Sequence, residues 1–460
     1  MITKTIAERV LAEATRTGGD FAELFLEDTR RTSIGLVNGT IDDAVTGRKH
    51  GAGIRVYKGL ESVYVHTNDT SEAGLLKTAR QAADAVGSAC QEKKIHLTGS
   101  IVRNIHAIEQ LPMDVSSEER VRLAHNAYLA AKDVDAAISQ VQVSLFGWET
   151  DVTIANTEGL FTSDKRVYSR IGISAVASNA SENQTGAANP GAMMGFELFR
   201  TRVDVEEAAR KAARTAVTML KAEPCPAGIM PVIIDNGFGG VIFHEACGHS
   251  LEATQVALGN SEFCGKLGQQ IASPIVTAID DGTMANEWGS TNIDDEGTPT
   301  TRLVLIENGI LKNYMIDRLN GRRMGMAPTG NARRQDYSYA PTSRMRNTFI
   351  AAGQDDEKEM IATAGDALYA KQMGGGSVNP ATGEFNFAVM EGYLVKDGKI
   401  DQPVRGATLI GKGSEVLMKI DRVGKDMQMA QGMCGSKSGS VPTNVGQPMI
   451  RVTSLTVGGR

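Results

Sequence analysis

The sequence predicts an α+β protein with two domains. These are an N-terminal mixed α/β domain with hairpins and long helices (residues 1–223) and a C-terminal β-rich, barrel-like domain (residues 224–460). First, a chain of 460 residues is too long for a single hydrophobic core. Second, helical periodicity and strand alternation follow each other in the first half, whereas short strands separated by Gly, Asn and Asp dominate the second. Third, the segment EPCPAG (residues 223–228) places two prolines and a glycine directly after a long helical pattern, which marks a boundary.

The elements of the first half follow from periodicity and from turn and cap residues. Asn38–Gly39 and Lys58–Gly59 each sit between alternating segments and predict hairpin turns. Ser71, and either Ser116 or Ser117, stand before helical patterns as N-cap residues. The predicted elements are an opening helix over residues 5–18, hairpins over 21–47 and 52–67, helices over 71–87 and 116–135, strands over 138–178 and a long helix over 204–222.

Composition excludes several classes of protein. A net charge of −6 without a long basic run argues against nucleic-acid binding. The N-terminus lacks the apolar core of a signal peptide, and Pro231, Asp235 and Asn236 interrupt the longest nearly apolar stretch, so no membrane segment is expected. The cysteines are scattered and odd in number, which predicts reduced thiols in a cytoplasmic protein. They are Cys90, Cys225, Cys247, Cys264 and Cys434.

A pair of histidines in the segment GGVIFHEACGHSLEAT (residues 239–254) is the main candidate for chemistry. His244 is followed by Glu245, as in the zinc-peptidase signature H-E-x-x-H, but His249 comes five residues after His244 instead of four. A regular α-helix would place the two imidazoles roughly 140° apart around its axis. The pair could therefore share a metal ion only if the helix departs from regularity, through a π-bulge or a distortion at Gly248.

Two other interpretations use a regular helix. Glu245 and His249 are four residues apart and could form a simple surface pair. His244 and Cys247 are three apart and could hold a structural metal ion without His249. The motif alone leaves these alternatives open, because a chance H-E-x-x-x-H is expected roughly once in a hundred chains of this length.

Further motifs occur in a fixed order along the chain, and together they resemble one family. They are HEACGHSLE, DDEGTPTTRLVLIENGIL, GNARRQDYSYAPTSRMRNTFI, GGGSVNPATGEFNFAVMEGYLV and MCGSKSGSVPTNVGQP. This series resembles the TldD/PmbA family of metallopeptidases over essentially the whole chain. The H-E-x-x-x-H motif resembles the TldD-like, catalytic branch, since the TldE/PmbA-like partner branch lacks it.

The resemblance implies a ligand set and a setting for it. The two motif histidines of the family correspond to His244 and His249, its catalytic glutamate to Glu245, and its third metal ligand to Cys434 in MCG. Two imidazoles and a thiolate suit zinc, and Glu245 would accept a proton from the attacking water. The family also implies a heterodimer with a TldE/PmbA-like subunit, an enclosed site, and small or unfolded peptides as substrates.

Several other polar residues are weaker candidates. Arg333, Arg334 and Tyr337 lie in a segment rich in Arg and Tyr that could hold the substrate peptide or make interface contacts. Glu252 could be a further ligand or orient His249. The acidic run of residues 294–296 could line a cleft, although a solvated turn is favoured.

The sequence therefore predicts a cytoplasmic zinc-dependent peptidase that cleaves short or unfolded peptides inside an enclosed oligomeric site. The oligomer would be a heterodimer with a TldE/PmbA-like subunit or a homo-oligomer, with no nucleic acid or membrane as partner. The alternative is a non-catalytic peptide-binding or assembly subunit that keeps a structural metal site.

Overall fold

The first half of the chain forms an eight-stranded sheet in a computed structural model that describes residues 2–87 and 94–459. Its strands are β1 (Phe21–Val37), β2 (Thr40–Lys58), β3 (Glu61–Thr67), β4 (Thr98–Gly99), β5 (Ile138–Asn156), β6 (Leu160–Ser178), β7 (Asn183–Ala188) and β8 (Gly191–Ala192). The strand order is β3-β2-β1-β5-β6-β4, and β7 and β8 pair with β6. Because consecutive strands are joined by tight turns, most neighbours are antiparallel.

The two hairpins predicted near the N-terminus are a single three-stranded meander. The turns at Asn38–Gly39 and Lys58–Gly59 are present, and Asn38 and Gly39 both have positive φ, as a tight two-residue turn requires. The prediction of two separate hairpins is wrong because β2 runs unbroken for 19 residues. Gly47 and Gly51, between the two predicted hairpins, stay extended and pair with Arg31 and Glu27 of β1.

Helices cover this sheet and link the later strands. The predicted caps are confirmed: Ser71 and Ser116 each accept a hydrogen bond from the first turn of the following helix. Buried alanines and branched residues on the long helices pack against strands in two clusters of the N-terminal half. The helices are α1 (Lys4–Thr15), α2 (Glu72–Val86), α3 (Ser117–Lys132), α4 (Leu198–Thr201), α5 (Val205–Leu220), α6 (Val241–Phe243), α7 (Ala253–Val256), α8 (Arg318–Met324), α9 (Glu357–Ala362) and α10 (Gly413–Met418).

The second half is rich in strands, and part of it is a closed barrel. The strands are β9 (Glu223–Pro224), β10 (Gly228–Ile234), β11 (Ala278–Asp281), β12 (Arg302–Glu307), β13 (Ile310–Leu311), β14 (Ala332–Arg333), β15 (Thr342–Ser343), β16 (Asn347–Ile350), β17 (Ala367–Asn379), β18 (Glu384–Lys396), β19 (Lys399–Arg405), β20 (Thr408–Lys412), β21 (Ile420–Val423), β22 (Gln428–Ser436), β23 (Gly439–Gln447) and β24 (Ile450–Gly458). The order β17-β10-β24-β20-β18 closes on itself because β18 also pairs with β17. The predicted α+β fold with a barrel-like C-terminal part is confirmed.

A second sheet in this half positions part of the site. Its order is β13-β12-β11-β16-β23-β22, so β22 is an edge strand that pairs with β23 alone in this sheet. The hairpin of β22 and β23 stands beside the segment that leaves the barrel after β10. This arrangement brings the MCG and HEACGH motifs together, although they lie about 190 residues apart in sequence.

Buried ion pairs join the two halves. Arg55 contacts Glu296 (3.0 Å), Arg166 contacts Asp295 (2.6 Å) and Arg334 contacts Glu23 (2.8 Å). The expectation of a solvated turn at residues 294–296 is wrong, since all three acids are buried. Buried carboxylates need charged or hydrogen-bonding partners, and the partners come from the N-terminal sheet and from the Arg-rich segment.

Two further features bear on the sequence predictions. Of the helices that the structure describes, none is long and apolar enough to cross a membrane. Cys225, Cys247, Cys264 and Cys434 are free thiols, and Cys90 lies outside the described residues. The division into domains at residues 223 and 224 stays a prediction.

Candidate metal centre

The helix that carries the histidine pair is widened by one residue. Residues His244–Gly248 form a π-helical turn, in which the N–H of His249 donates to the carbonyl of His244, five residues earlier. The predicted departure from a regular α-helix is thereby confirmed. Adding a residue to one turn moves His249 onto the same side as His244, and the two imidazole rings lie 4.9 Å apart between centroids.

Packing explains why the turn can form here. The side of the segment that faces away from the histidines is core: Phe243, Ala246 and Cys247 are fully buried among the apolar residues of the barrel. Gly248 keeps a helical φ of −54°, so it does not break the helix. Its role is close approach, since a Cβ there would lie 2.2 Å from the sulfur of Met345. Of the two alternatives, the π-helical turn is present, and it accommodates the extra residue without a break at Gly248.

Three potential ligand atoms converge at this turn. They belong to His244, His249 and Cys434, and they lie within 4.8 Å of one another. Together they form a group able to hold a metal ion. The Sγ of Cys434 is 3.4 Å from Nε2 of His249. Cys434 belongs to β22, so the turn and the edge strand each supply part of the group.

A buried carboxylate and a buried guanidinium hold this arrangement in place. Oε2 of Glu252 lies 3.3 Å from Nδ1 of His249, on the side of the ring opposite Cys434. The other oxygen of Glu252 faces Nε of Arg344 at 3.9 Å. Arg344 in turn donates through Nη2 to the carbonyl of Cys434, and through Nη1 to Ser438 Oγ (3.0 Å) and the carbonyl of Gly439 (2.8 Å). The same network therefore touches both ligand-bearing segments.

Glu245 is placed differently from the buried Glu252. Its side chain is 19% exposed, and its Oε2 lies 3.7 Å from Nε2 of His249, on the open side of the group. A carboxylate at that position can reach a water molecule bound near the three ligands. The pairing of Glu245 with His249 that a regular helix would give is thus present in the cleft instead of on the surface.

The electrostatics of the group favour a thiolate. Burial would raise the pKa of the Cys434 thiol, but the neighbouring His244 and His249 hold that pKa well below its usual range. Burial would likewise lower the pKa of His249, yet Glu252 and Cys434 raise it well above its usual range. Both shifts describe a thiolate paired with a protonated His249. A thiolate is the form of cysteine that binds metals, and a bound metal ion would displace the proton of His249.

The donor set fits zinc. In a tetrahedral zinc site, neighbouring nitrogen and sulfur ligands stand about 3.3–3.8 Å apart, which agrees with the distance of 3.4 Å between His249 and Cys434. Nδ1 of His244 is buried and has no hydrogen-bond partner within the described part of the chain. Two imidazoles, one thiolate and an accessible side for a water molecule are the composition of a catalytic zinc site with an open position.

The group lies at the floor of a cleft of about 470 Å³. Its lining includes β22, from Gly432 to Ser436, and the glycine-rich part of β17, from Gly375 to Val378. Phe238 and Val241 also line it. The glycines of the motif GGGSVNPATGEFNFAVMEGYLV thus belong to a strand that lines the cleft.

The other candidate residues lie elsewhere. Cys247 is fully buried in the barrel core and is not in the group of potential ligands. Arg333 and Arg334 line a second cavity next to the cleft. Tyr337 donates its backbone N–H to Glu27 and accepts a hydrogen bond from Tyr64 at its carbonyl. A role of the three Arg-segment residues in substrate binding stays a prediction.

Arg344 is the residue of this site that sequence reasoning missed. It lies in the same Arg-rich segment, and nothing in the local pattern distinguishes it from Arg333, Arg334 or Arg346. Only the three-dimensional pairing with Glu252 and with the carbonyl of Cys434 reveals its position.

Two imidazoles, a thiolate and a neighbouring carboxylate on an open cleft define a metal-dependent hydrolase. Comparison with known proteins specifies the family. The PmbA/TldA metallopeptidase C-terminal domain matches residues 227–459, its central domain residues 111–220 and its domain 1 residues 22–86. The chain belongs to the PmbA/TldD family of metallopeptidases.

Individual relatives agree with this assignment. A metalloprotease TldD homologue of Haemophilus influenzae is 36% identical over 96% of this chain and 93% of its own length. A zinc metalloprotease TldD homologue of Saccharolobus solfataricus is 28% identical over 80% of this chain and 76% of its own. Among solved structures, TldE from Thermococcus kodakarensis has a TM-score of 0.76 at 19% identity, covering 96% of this chain and 97% of its own, which shows a common fold.

Proposed function

We propose that this chain is a zinc-dependent peptidase that cleaves short or unfolded peptides in the cleft beside β22. The observation that carries the proposal is the convergence of His244, His249 and Cys434 within 4.8 Å, with Glu245 on the open side. The name zinc metalloprotease belongs to the Saccharolobus solfataricus relative, and it supports zinc as the metal of this chain.

Each side chain of the site has a defined task in this reaction. His244, His249 and Cys434 would hold the zinc ion. Zinc, when bound, supplies Lewis-acid activation of a water molecule and of the scissile carbonyl. Glu245 takes the proton of the attacking water and passes it to the leaving amine. Glu252 contacts Nδ1 of His249 and so orients the ring, with Nε2 facing Cys434.

The free edge of β22 offers a way to bind peptide backbone. The N–H of Asn444 donates to the carbonyl of Arg346, away from β22, so its pair with Gln431 is of the non-hydrogen-bonded kind. By alternation, the backbone groups of Gln431, Met433 and Gly435 point away from β23 at the free edge, and Met433 and Gly435 line the cleft. Pro442, which lacks an N–H, lies opposite Met433, as this alternation requires.

An extended peptide could therefore add to β22 as a further strand. Main-chain hydrogen bonds to Gln431, Met433 and Gly435 would hold it with little dependence on sequence. Cys434 lies between two of these positions and would face the peptide from the side of the metal centre. A chain segment must be extended and unpaired to bind in this way, which favours unfolded or short peptides over folded proteins.

We propose that the active assembly contains a second subunit. The fold shared with TldE from Thermococcus kodakarensis is compatible with either a TldE/PmbA-like partner or a second copy of this chain. Such an assembly would enclose the cleft and restrict access by folded proteins. Native mass measurement of the protein, alone and after co-purification from its own cells, distinguishes the two assemblies.

The test of the peptidase combines metal content with one substitution. Glu245→Gln keeps the size of the side chain but removes its basicity. We expect one zinc per chain in both the wild type and the variant, and cleavage of an unstructured peptide reduced by about 100-fold or more in the variant. Glu307→Gln, an exposed glutamate on β12, is the matched control and should cleave normally.

Two results would contradict the proposal. Unchanged cleavage in Glu245→Gln would remove this residue as the base. Peptide binding without cleavage by the zinc-loaded wild type, in every assembly state that is found, would instead favour a non-catalytic peptide-binding subunit.

A further inference from the structure

A second cavity of about 540 Å³ adjoins the hairpin of β22 and β23. The N-terminal sheet forms one wall, where Phe146, Trp148 and Tyr168 contribute aromatic rings. Met433 and its cross-strand partner Pro442 form the wall nearest the cleft. Met433 lines both the cavity and the cleft, so the two spaces are neighbours at the edge of β22.

Arg333 brings to this cavity a positive charge that forms no ion pair with a carboxylate of the described residues. Its side chain lines the cavity, and the residue is only 5% exposed. One nitrogen, Nη1, donates to the carbonyl of Met345 (2.6 Å) and approaches Thr443 Oγ1 at 3.4 Å. Nε and Nη2 have no hydrogen-bond partner, and no ion pair includes Arg333, within the described part of the chain. Burial and the nearby Arg346 lower the pKa of Arg333 to about 9, although Tyr168 and Asp295 act in the opposite direction.

The other buried or half-buried charged groups around the cavity have partners, and Arg31, which also lines it, is exposed. Lys49 contacts Asp336 at 2.6 Å. Two further cations of the wall, Arg166 and Arg334, form the buried ion pairs with acids described above. Glu27 accepts from Thr29 Oγ1 (2.6 Å) on one oxygen and from the N–H of Tyr337 (2.8 Å) on the other. Arg333 is therefore the buried guanidinium in this cavity that is left to bind a ligand.

The register of a peptide on β22 connects this cavity with the substrate. Side chains alternate between the two faces of a strand, so Met433 points away from the face on which Cys434 meets the histidines. A peptide residue placed directly beside Met433 in an added strand projects toward the same face as Met433. Met433 and Pro442, which share that face, both line the cavity of Arg333.

From this geometry we infer that the cavity is a substrate pocket in which Arg333 binds a carboxylate of the peptide. The inference rests on the proposed function, because it takes the peptide to be bound along β22. A guanidinium presents a planar pair of N–H donors that matches a carboxylate, and the aromatic wall suits the methylene groups of a glutamate side chain. The carboxylate would come from a glutamate side chain or from the C-terminus of a short peptide.

The test measures binding as well as cleavage. A single glutamate is moved along an unstructured, C-terminally amidated glutamine peptide, and each peptide is titrated onto the zinc-loaded Glu245→Gln protein and assayed with the wild type. We expect one glutamate position to bind about tenfold more tightly than the all-glutamine peptide. Arg333→Gln should abolish that preference, and Arg333→Lys should retain part of it. If the C-terminus is the source, the all-glutamine peptide with a free C-terminus shows the preference instead.

The outcomes separate this inference from the proposed function. Equal affinity for all peptides, or the same preference in Arg333→Gln, would overturn the pocket while leaving the peptidase intact. A glutamate preference that depends on Arg333, without cleavage by the wild type, would support the pocket and overturn the peptidase. If Arg333→Gln does not fold, the preference of the wild type and its partial retention in Arg333→Lys decide the question.

Discussion

The carboxylate of Glu252 lies 3.3 Å from Nδ1 of His249, while Nε2 of the same ring lies 3.4 Å from the sulfur of Cys434. The ring is thus held from both sides, and the carboxylate decides which nitrogen is left for a metal ion. Arg344 extends the arrangement, because it faces Glu252 and also donates to the carbonyl of Cys434. Glu252 and Arg344 together therefore position two ligands, His249 and Cys434, that lie far apart in sequence.

Replacing Glu252 should weaken metal binding without removing any ligand. Glu252→Gln loses the negative charge that faces His249 but keeps the shape of the side chain. We expect zinc affinity to fall by about 10- to 100-fold, measured by competition with a chelator of known affinity. Glu262→Gln is the control, since the side chain of Glu262 is only 8% exposed but has no hydrogen bond or ion pair with the three ligands in the described part of the chain.

The partnership with Arg344 can be tested in the same assay. If Glu252 and Arg344 act as a unit, combining Glu252→Gln with Arg344→Met should weaken zinc binding less than the sum of the two single effects. Strict additivity of the two substitutions would show that each acts on the site independently.

Two cysteines compete as the third ligand, and their substitution distinguishes them. Cys434→Ser should reduce zinc content to a small fraction of one ion per chain, because it removes a ligand of the converging group. Cys247→Ser should keep its zinc, since Cys247 packs in the barrel core. Metal analysis of folded protein provides the comparison. Loss of zinc in Cys247→Ser alone would require a site built on His244 and Cys247.

The shape of the histidine segment could be predicted from sequence because spacing and chemistry conflicted there. Histidines five residues apart cannot meet on a regular helix, so a shared ion required a wider turn, and residues His244–Gly248 form one. Glu252 was a candidate for orienting His249 because Glu252 follows His249 by only three positions. These inferences used local geometry, which a sequence specifies directly.

The acids of residues 294–296 show where local reasoning fails. A run of acids followed by glycine has the composition of a solvated turn, and their burial depends on arginines that are distant in sequence. Arg55 and Arg166 come from the N-terminal sheet and pair with Glu296 and Asp295. Such long-range pairing leaves no local signal, and the same holds for Arg344 and for the uncompensated Arg333.

A core histidine should make the protein sensitive to acid. His106 is buried, and its Nδ1 accepts the N–H of Asn286 at 3.0 Å. Burial lowers its pKa from 6.5 to about 4. The pKa of His106 in the folded protein lies below its pKa in the unfolded chain. The stability that the neutral His106 contributes to the fold is therefore fully present above pH 6.5 and is lost as the pH falls from 6.5 to 4. The full effect is about 3 kcal/mol of unfolding free energy.

The variant His106→Gln tests whether His106 causes this loss of stability at low pH. Glutamine can still accept the hydrogen bond of Asn286 but does not titrate. Between pH 7 and pH 4, the wild type should lose about 3 kcal/mol more unfolding free energy than the variant, measured by chemical denaturation at each pH. His96→Gln, at a largely exposed position, should follow the wild type. Parallel curves for the wild type and His106→Gln would contradict the assignment.

The π-helical turn should depend on a glycine in a different part of the chain. Gly413 begins α10, and a Cβ at this position would lie 1.8 Å from the carbonyl oxygen of Ala246, in the middle of the turn. At an exposed helical position, Gly→Ala would stabilise the protein by about 0.4–1 kcal/mol. Here the clash is with backbone and cannot be relieved by a rotamer change, so Gly413→Ala should destabilise the protein by about 1–3 kcal/mol.

The π-helical turn would also shift in Gly413→Ala, and zinc affinity should fall together with stability. Gly228→Ala on β10 is the control, because its Cβ would meet only Met230 Cε at 3.7 Å. Normal zinc affinity and stability in Gly413→Ala would show that the turn does not need this contact.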